Sequence, residues 1–270
     1  MKKVKTLILR TAGTNCDKET AFAFQVAGAE TRLVHINELI KNKSLLNEFQ
    51  ILAIPGGFTY GDDIASGKVL ANELKSKLKE QILLFIKSGK LIIGICNGFQ
   101  VLVKMGLLPG INSKVDFSVN ATLSLNDSGK FEDRWVHLKN EKLVSKCLWV
   151  KDLPEIVYFP VAHAEGKFIP KNEQVFNKMK KNGQIVFRYS DQLGNEPGYP
   201  GNPNGSVDAI AGICDPTGRI LGMMPHPERH ISYLQHPNWR RNKKSLKTMG
   251  TGIEIFNNGV KFAREHLLSV

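Results

Sequence analysis

Residues 89–106 have the sequence GKLIIGICNGFQVLVKMG, and this stretch combines a strand, a tight turn and a helix. The apolar run 91–95 is typical of a buried parallel strand. Residues 97–104 place apolar side chains at a spacing that fits one face of a helix. The pattern therefore predicts a strand-turn-helix unit with Cys96 at its turn.

Cys96 lies between Gly94 and Gly98, and this Gly-x-Cys-x-Gly pattern is the thiol counterpart of a nucleophile elbow. The glycines let the strand and helix backbones pass closely while the side chain between them points out of the sheet. The helix dipole also favours a thiolate at this end of the helix. A buried core cysteine is the alternative interpretation, but the paired glycines and the polar Asn97 favour a nucleophile.

A chain of 270 residues with 42% hydrophobic residues can bury one large core, or form one domain with substantial insertions. The longest apolar runs are too short to span a bilayer, and the N-terminal residues resemble a first strand more than an export signal. The four cysteines form no C-x-x-C pair and no cluster with histidines at ligand spacing. We therefore expect a single cytoplasmic domain over residues 1–270 with no metal site, no disulfide framework and no membrane association.

The formal net charge of +12 raises the question of a nucleic-acid partner. Lysines are spread along the chain, however, and the only dense cluster covers residues 240–247. No recognised nucleic-acid motif accompanies them. A phosphorylated metabolite or an acidic protein is therefore favoured as a partner over nucleic acid.

Strand-like and helix-like segments alternate over the first hundred residues. We predict strands at 5–9, 31–36, 49–54 and 91–95, a helix ending near Ala27, a short helix capped by Asn37, and an amphipathic helix at 73–87. This alternation predicts an α/β fold with one doubly wound, mostly parallel sheet flanked by helices.

The pattern changes after residue 110 to shorter segments typical of antiparallel strands. We predict strands at 119–125, 135–138, 184–189, 209–214 and 220–224, a hairpin turn at 215–218, and a closing helix at 253–268. The loop 194–205 is rich in glycine, proline and asparagine, and its length favours a functional role. The C-terminal half is therefore expected to add antiparallel strands to the sheet.

A cysteine nucleophile needs a base, a group that orients the base, and an oxyanion hole. His226 follows a predicted strand, and Glu228 lies two residues further on, across a proline. The His-Pro-Glu sequence alone is weak, but its place at a strand end matches that of Cys96. The N–H groups of Asn97 and Gly57 are candidate oxyanion donors, although Gly57 alone would indicate only an ordinary turn.

Two further motifs lack the features that their chemistry requires. The sequence GDDIASGK at 61–68 has a glycine spacing one residue too long for a phosphate-binding P-loop, and Val69 replaces the required hydroxyl residue. Its acidic pair at 62–63 could hold a metal, but one such pair in a loop is usually solvated. Residues 163–167 contain an imidazole and a carboxylate without a nucleophile.

Three motifs together resemble a class I glutamine amidotransferase: GICNGFQ at 94–100, PGG at 55–57 and HPE at 226–228. Finer motifs resemble one family of that class, the glutaminase subunit of phosphoribosylformylglycinamidine synthase. They are GTNCD (13–17), GFTYGDD (57–63), GLLPG (106–110), HAEGKF (163–168), NPNGS (202–206) and GMMPHPER (222–229). Residues near 119–132, 192–201 and 232–248 look like insertions, which bear on oligomer contacts and partner geometry.

The resemblance implies a role for each matching residue. Cys96 is then the nucleophile, His226 the base and acid, Glu228 its orienter, Gly57 and Asn97 the oxyanion donors, and Phe58 and Gln100 the glutamine-binding residues. The implied reaction is hydrolysis of glutamine to glutamate and ammonia through a cysteine thioester.

The resemblance also implies a partner. In the family, ammonia passes to a separate synthetase subunit that makes formylglycinamidine ribonucleotide in purine biosynthesis, and a small accessory subunit can join the complex. ATP and magnesium are expected on that partner, with no cofactor in this chain. The alternatives are another class I triad amidotransferase or stand-alone glutaminase, and a non-catalytic basic scaffold subunit. The role of Cys16 stays open between packing and a partner-facing loop.

Overall fold

The alternating segments form eleven strands and seven α-helices in the part of the chain that this computed structural model describes, residues 2–112, 115–241 and 249–268. The strands are β1 (Lys5–Arg10), β2 (Glu30–His35), β3 (Ile51–Ile54), β4 (Leu91–Ile95), β5 (Ala121–Ser124), β6 (Glu132–Asn140), β7 (Ile156–His163), β8 (Lys167–Pro170), β9 (Ile185–Ser190), β10 (Ile210–Cys214) and β11 (Ile220–Met223). The helices are α1 (Asp17–Val26), α2 (Ile36–Lys41), α3 (Lys68–Lys77), α4 (Lys79–Lys87), α5 (Asn97–Met105), α6 (Glu173–Lys181) and α7 (Ile253–His266).

Nine strands form one central sheet in the order β2-β1-β3-β4-β11-β10-β9-β6-β7. The neighbours from β2 to β11 are parallel, and those from β11 to β7 are antiparallel. The predicted α/β fold, with antiparallel additions from the C-terminal half, is confirmed. The single-domain boundary and the three insertions stay predictions.

The junction between β4 and β11 joins the two halves of the sheet and positions the site. These strands are parallel, with Gly94 opposite Gly222 and Ile95 opposite Met223. Their carboxyl ends therefore lie side by side. Because Cys96 follows β4 directly and His226 follows β11 by three residues, the chain brings the thiol and the imidazole to the same edge.

The helices lie on both faces of the sheet. The chain moves from β1 to β2 in one direction and from β3 to β4 in the other. Since parallel crossovers are right-handed, this reversal places α1 and the α3–α4 pair on opposite faces. α1 also packs on α7, with the rings of Phe24 and Phe256 5.0 Å apart in an edge-to-face arrangement. Within the described ranges, no helix combines the length and the hydrophobicity needed to span a bilayer.

A second sheet of two strands lies outside the central one. β5 pairs antiparallel with β8, whereas β6 pairs with β7 and β9. The adjacent predicted strands at 119–125 and 135–138 are therefore present but do not pair with each other. The sequence prediction also missed β7, β8 and α6. β7 lies at the sheet edge, where Pro160 costs no interior hydrogen bond.

Two local predictions were wrong. The helix expected at 73–87 is two helices that meet at Leu78, whose backbone (φ −126°, ψ 12°) is not helical. The apolar stripe continues through Leu78 because that side chain is buried, although its backbone angles interrupt the helix. The short helix α2 is capped by His35 rather than by Asn37, whose N–H donates to His35 Nδ1 at 3.2 Å.

Gly98 is required by the close approach of α5 to the sheet. A Cβ atom at this position would lie 1.9 Å from the carbonyl oxygen of Ile54, a backbone atom that cannot yield. Gly94 faces the same helix turn, since its Cβ would lie 2.5 Å from the carbonyl oxygen of Gly98. Both glycines of the elbow therefore serve packing between the strand and the helix.

We expect Gly98→Ala to destabilise the fold by about 2 kcal/mol or more, because the added methyl group must push α5 away from β3. The measurement is the midpoint of thermal or urea unfolding. Gly198→Ala is the matched control, since a Cβ atom there meets nothing within 4 Å, and we expect a change below about 0.5 kcal/mol. Equal midpoints for the two variants would contradict this account of the elbow.

Candidate active site

Cys96 has the strained backbone of a nucleophile elbow. Its φ of +51° lies in a region that residues other than glycine rarely adopt. Its N–H donates to the carbonyl oxygen of Met223 at 2.8 Å, which ties the turn to β11. The buried thiol lies 3.6 Å from the carbonyl oxygen of Ala162 on β7.

His226 and Glu228 form a buried pair beside this thiol. Nδ1 of His226 lies 2.6 Å from Oε1 of Glu228, and both side chains are almost fully inaccessible to solvent. The His226 N–H also donates to the carbonyl oxygen of Pro160 at 2.9 Å. A Cβ atom on Gly56 would lie 2.7 Å from Cε1 of His226 and 3.4 Å from Cβ of Cys96. Only glycine leaves room here for the imidazole to approach the thiol.

The charge on His226 is set by competition between burial and its neighbours. Burial lowers the pKa of His226, but the Glu228 carboxylate and the Cys96 thiolate together raise the pKa well above its usual value. Nε2 of His226 is buried and accepts or donates no hydrogen bond within the described residues. The imidazole is therefore suited to carry a proton on Nε2 and to exchange it with a reacting group.

Two backbone N–H groups are free at the candidate oxyanion hole. Neither Gly57 nor Asn97 donates its N–H to another described residue. The Gly57 φ of +133° and the position of Asn97 at the start of α5 both free these donors from regular hydrogen bonding. The geometry is that of two candidate donors for a developing negative charge.

The segment 13–17 holds the loop after β3 that carries Gly57, through an isolated antiparallel bridge between Thr14 and Gly57. The Phe58 N–H donates to the carbonyl oxygen of Gly13 at 2.8 Å, and the Cys16 N–H donates to that of Gly56 at 3.2 Å. A Cβ atom on Gly57 would lie 2.5 Å from the backbone nitrogen of Asn15. The GTNCD motif therefore sets the backbone around one candidate oxyanion donor, a role that its sequence did not reveal.

Phe58 and Gln100 occupy different environments. The ring of Phe58 is 45% exposed, and its centroid lies 6.2 Å from that of Phe131. Gln100 is buried, and its Nε2 donates to the carbonyl oxygen of Glu165 at 2.5 Å. Both residues follow the candidate oxyanion donors in the chain, and their role in binding glutamine stays a prediction.

Asn126, inside the predicted insertion 119–132, connects that segment to the site. Its Nδ2 donates to the carbonyl oxygens of His163 at 2.8 Å and Lys130 at 2.9 Å. Its Oδ1 accepts from the Gly166 N–H at 3.1 Å and lies 3.1 Å from Nδ1 of His163. Since Oδ1 accepts, His163 carries its proton on Nδ1. Burial and the charge of His226 lower the pKa of His163 to about 3, so this imidazole is neutral.

The NPNGS motif (202–206) also contacts the HAEGKF segment (163–168). Asn204 donates through Nδ2 to the carbonyl oxygen of Gly166 at 2.8 Å and to the Tyr189 hydroxyl at 3.0 Å. Ser206 Oγ accepts from the Phe168 N–H at 2.9 Å. The loop 194–205 thus contributes a buried residue that holds the HAEGKF segment in place. The sequence patterns did not mark Asn126, and they included Asn204 only as part of the NPNGS motif, without this contact.

Cys16 lies beside the site rather than on an exposed partner-facing loop. It is buried, and its Sγ accepts from Nη2 of Arg229 at 3.2 Å. Ligand atoms of Cys16, His226 and Glu228 all lie within 4.8 Å of one another. Such a set could hold a soft cation, but the carboxylate and imidazole already bond each other, and the absence of a resident metal stays a prediction.

The basic cluster at 240–247 lies mostly outside the described residues. Of its members, the guanidinium of Arg240 lies 5.1 Å from the centroid of the Trp239 ring. The segment 61–68, which does not fit a P-loop, begins in a turn with left-handed backbone angles (Thr59–Asp62) and ends at Lys68, the first residue of α3. Asp62 from that turn contacts Asn97, with 2.9 Å between Oδ1 and Nδ2.

A thiol, an imidazole paired with a carboxylate, and two free N–H groups converge at one edge of the sheet. A thiol nucleophile next to an oriented imidazole can attack an acyl carbon, and the two N–H groups can stabilise the resulting oxyanion. The site therefore has the parts required for acyl transfer from an amide.

Residues 3–263 match the family model of the CobB/CobQ-like glutamine amidotransferase domain. The chain is 51% identical over 265 residues to the phosphoribosylformylglycinamidine synthase subunit PurQ of Dehalococcoides mccartyi, covering 98% of this chain and 100% of that protein. It is 43% identical over 268 residues to the protein of the same name from Methanococcus maripaludis, covering 96% and 97%.

A solved structure gives the same result at the level of the fold. The structure of PurLQS from Thermotoga maritima is similar to this chain with a TM-score of 0.72 and 28% identity, covering 97% of this chain and 99% of that one. The chain therefore belongs to the CobB/CobQ-like glutamine amidotransferase family, among the relatives named phosphoribosylformylglycinamidine synthase subunit PurQ.

Proposed function

We propose that this chain is the glutaminase subunit of a phosphoribosylformylglycinamidine synthase. It hydrolyses glutamine to glutamate and ammonia and delivers the ammonia to an ATP-dependent synthetase in purine biosynthesis. The observation that carries the proposal is the buried His226–Glu228 pair, 2.6 Å apart, beside Cys96 at a strained elbow. The full-length similarity to proteins named PurQ supports the assignment of the synthase.

The first half of the reaction forms a thioester. The Cys96 thiolate attacks the side-chain amide carbon of glutamine, and the carbonyl oxygen becomes an oxyanion stabilised by the N–H groups of Gly57 and Asn97. The His226 imidazolium donates its Nε2 proton to the amide nitrogen. The carbon–nitrogen bond then breaks, and ammonia leaves.

The second half releases glutamate. His226, now neutral, takes a proton from water through Nε2, and the hydroxide formed attacks the thioester carbon. The same two N–H groups stabilise the second oxyanion, and the carbon–sulfur bond breaks to return the thiolate. Glu228 holds the imidazole in one orientation and stabilises its positive charge throughout.

The proposed partner is a synthetase subunit, together with a small accessory subunit where the complex contains one. The structural relative is part of PurLQS, which supports placing this chain in such an assembly. We place ATP and magnesium on the synthetase and no cofactor in this chain, and we place the complex in the cytoplasm. Residues 1–270 are proposed to act as one glutaminase domain.

We expect the chain to hydrolyse glutamine much faster in its complex than alone, by about 100-fold. The physical reason is that Gly57 must present its N–H to the oxyanion, and the flexible segment 55–57 can turn it away until the complex forms. Such control avoids waste, because ammonia released into water is mostly protonated at neutral pH and is then no nucleophile. The measurement is steady-state glutamine turnover by the chain alone and with the synthetase, its nucleotide and its ribonucleotide substrate.

Each alternative predicts a different result in this assay. Equal turnover with and without the synthetase would indicate a stand-alone glutaminase. Synthesis from free ammonia, with no glutamine turnover in any mixture, would indicate a non-catalytic scaffold subunit. Turnover that rises only with the synthetase of another pathway would assign a different triad amidotransferase.

A further inference from the structure

The side chain of Asn97 is fixed by four hydrogen bonds, one of them a long bond of 3.4 Å from the Thr59 N–H to Oδ1, although its proposed role uses only its backbone. Its Oδ1 accepts from the Thr59 hydroxyl at 2.6 Å. Its Nδ2 donates to Oδ1 of Asp62 at 2.9 Å and to Oε1 of Gln100 at 3.0 Å. The amide is buried, and each of its polar atoms has a partner. The position of the Asn97 N–H therefore depends on the loop that contributes Thr59 and Asp62.

That loop has an unfavourable backbone. Three residues other than glycine have positive φ angles: Tyr60 at +55°, Asp62 at +55° and Ile64 at +72°. Such conformations persist only where surrounding contacts hold them. Here the contacts are hydrogen bonds, since the Tyr60 hydroxyl donates to Oε2 of Glu73 at 2.5 Å and Asp62 bonds Asn97.

Ser66 bonds the second carboxylate oxygen of Asp62. Its hydroxyl donates to Oδ2 of Asp62 at 2.9 Å, and its N–H lies 3.2 Å from Oε1 of Glu165. Lys104 on α5 pairs with Glu165 at 3.3 Å and bonds the Ser66 carbonyl oxygen at 2.5 Å. The two carboxylate oxygens of Asp62 therefore connect α5 with a loop that is itself anchored.

The same loop begins at the other candidate oxyanion donor, because Gly57 precedes Thr59 by two residues. Asp62 thus lies between the two residues along the chain, and its carboxylate accepts a hydrogen bond from the side chain of Asn97, whose backbone carries one of the two N–H groups. Resting on the glutaminase function proposed above, we propose that Asp62 is a positioning residue. Its carboxylate fixes the Asn97 N–H relative to the Gly57 N–H and so sets the geometry of the oxyanion hole.

The surroundings of Asp62 disfavour its charged form, as expected for a carboxylate that is retained for its hydrogen bonds. Burial and the nearby Glu165 charge raise the pKa of Asp62, while bonds from Ser66, Gly67 and Asn97 oppose this rise. Its neighbour Asp63 is exposed, and its side chain forms no hydrogen bond with the described residues. The two aspartates of the GDD sequence therefore differ in role although they are chemically identical.

The test compares three variants in the assembled complex with the synthetase. Asp62→Ala removes the acceptor for Asn97, and we expect kcat for glutamine hydrolysis to fall about 10- to 100-fold with KM within about threefold. Asp62→Asn keeps a side-chain oxygen at the acceptor position, and we expect it to restore kcat to within about fivefold of the wild type. Asp63→Ala is the matched control, and we expect wild-type kinetics.

A second measurement separates positioning from general damage to the site. Iodoacetamide alkylates a thiolate without forming an oxyanion, so its reaction with Cys96, followed by peptide mapping, should be equally fast in Asp62→Ala and the wild type. Matching losses of alkylation and turnover, or equal kinetics for Asp62→Ala and Asp63→Ala, would overturn the proposal. So would an Asp62→Asn variant as slow as Asp62→Ala. A wild-type complex without glutamine turnover would overturn the glutaminase function itself, and this proposal with it.

Discussion

Cys96→Ser is expected to abolish glutamine-dependent synthesis by the complex while synthesis from free ammonia continues. Only the glutaminase half uses this thiol, and a serine hydroxyl is not activated by an imidazole placed for sulfur. We expect glutamine turnover to fall by at least about four orders of magnitude, as when other enzymes lose an activated nucleophile. The measurement is product formation by the variant complex with glutamine and, separately, with ammonium chloride at high pH.

A control must show that the loss of turnover is specific to the thiol of Cys96. Cys147 is also buried but lies in the segment between β6 and β7, and Cys147→Ser should keep glutamine turnover within about tenfold. A glutamine-like affinity label should modify Cys96 and leave Cys16 free. Labelling of Cys16 with Cys96 unmodified, or near-normal turnover in Cys96→Ser, would show that the nucleophile has been misassigned.

The sequence was sufficient to predict the elbow because the relevant physics is local. The thiol between Gly94 and Gly98 needs only its neighbours to specify a tight strand-to-helix turn, and the structure shows close backbone contacts at both glycines. The parallel half of the sheet followed from alternating strands and helices. The meeting of Cys96 and His226 followed from one general rule, that strand ends in a parallel sheet share an edge.

The contacts that sequence patterns did not reveal join residues that are far apart in the chain. Asn126 reaches His163 over 37 residues, Asn204 reaches Gly166 over 38, and Arg229 reaches Cys16 over 213. Asparagine is polar and common in turns, so a segment that contains it looks like a solvated loop in the sequence, even where the asparagine is buried. Only the folded arrangement supplies the carbonyl and N–H groups that make its burial favourable.

Glu228→Gln is expected to lower kcat for glutamine hydrolysis by about three to four orders of magnitude, because a neutral amide no longer fixes the tautomer of His226 or stabilises its charge. The wild-type pKa of His226 is raised well above its usual value by this carboxylate, against the effect of burial. Without the carboxylate, burial is less opposed and the pKa of His226 falls. The alkaline limb of the pH profile, which reports loss of the His226 proton, should therefore move to lower pH.

The pH shift distinguishes this mechanism from simple loss of structure. Damage to the fold would lower turnover at every pH. Loss of the Glu228 charge should lower turnover most on the alkaline side of the profile, because His226 then loses its proton at a lower pH. The measurement is kcat over a pH range of about 5 to 9, with thermal unfolding recorded for each variant. Glu196→Gln, an exposed carboxylate in the loop 194–205, is the matched control and should reproduce the wild-type profile. An alkaline limb that stays in place, or moves to higher pH, would show that Glu228 does not hold the proton on His226.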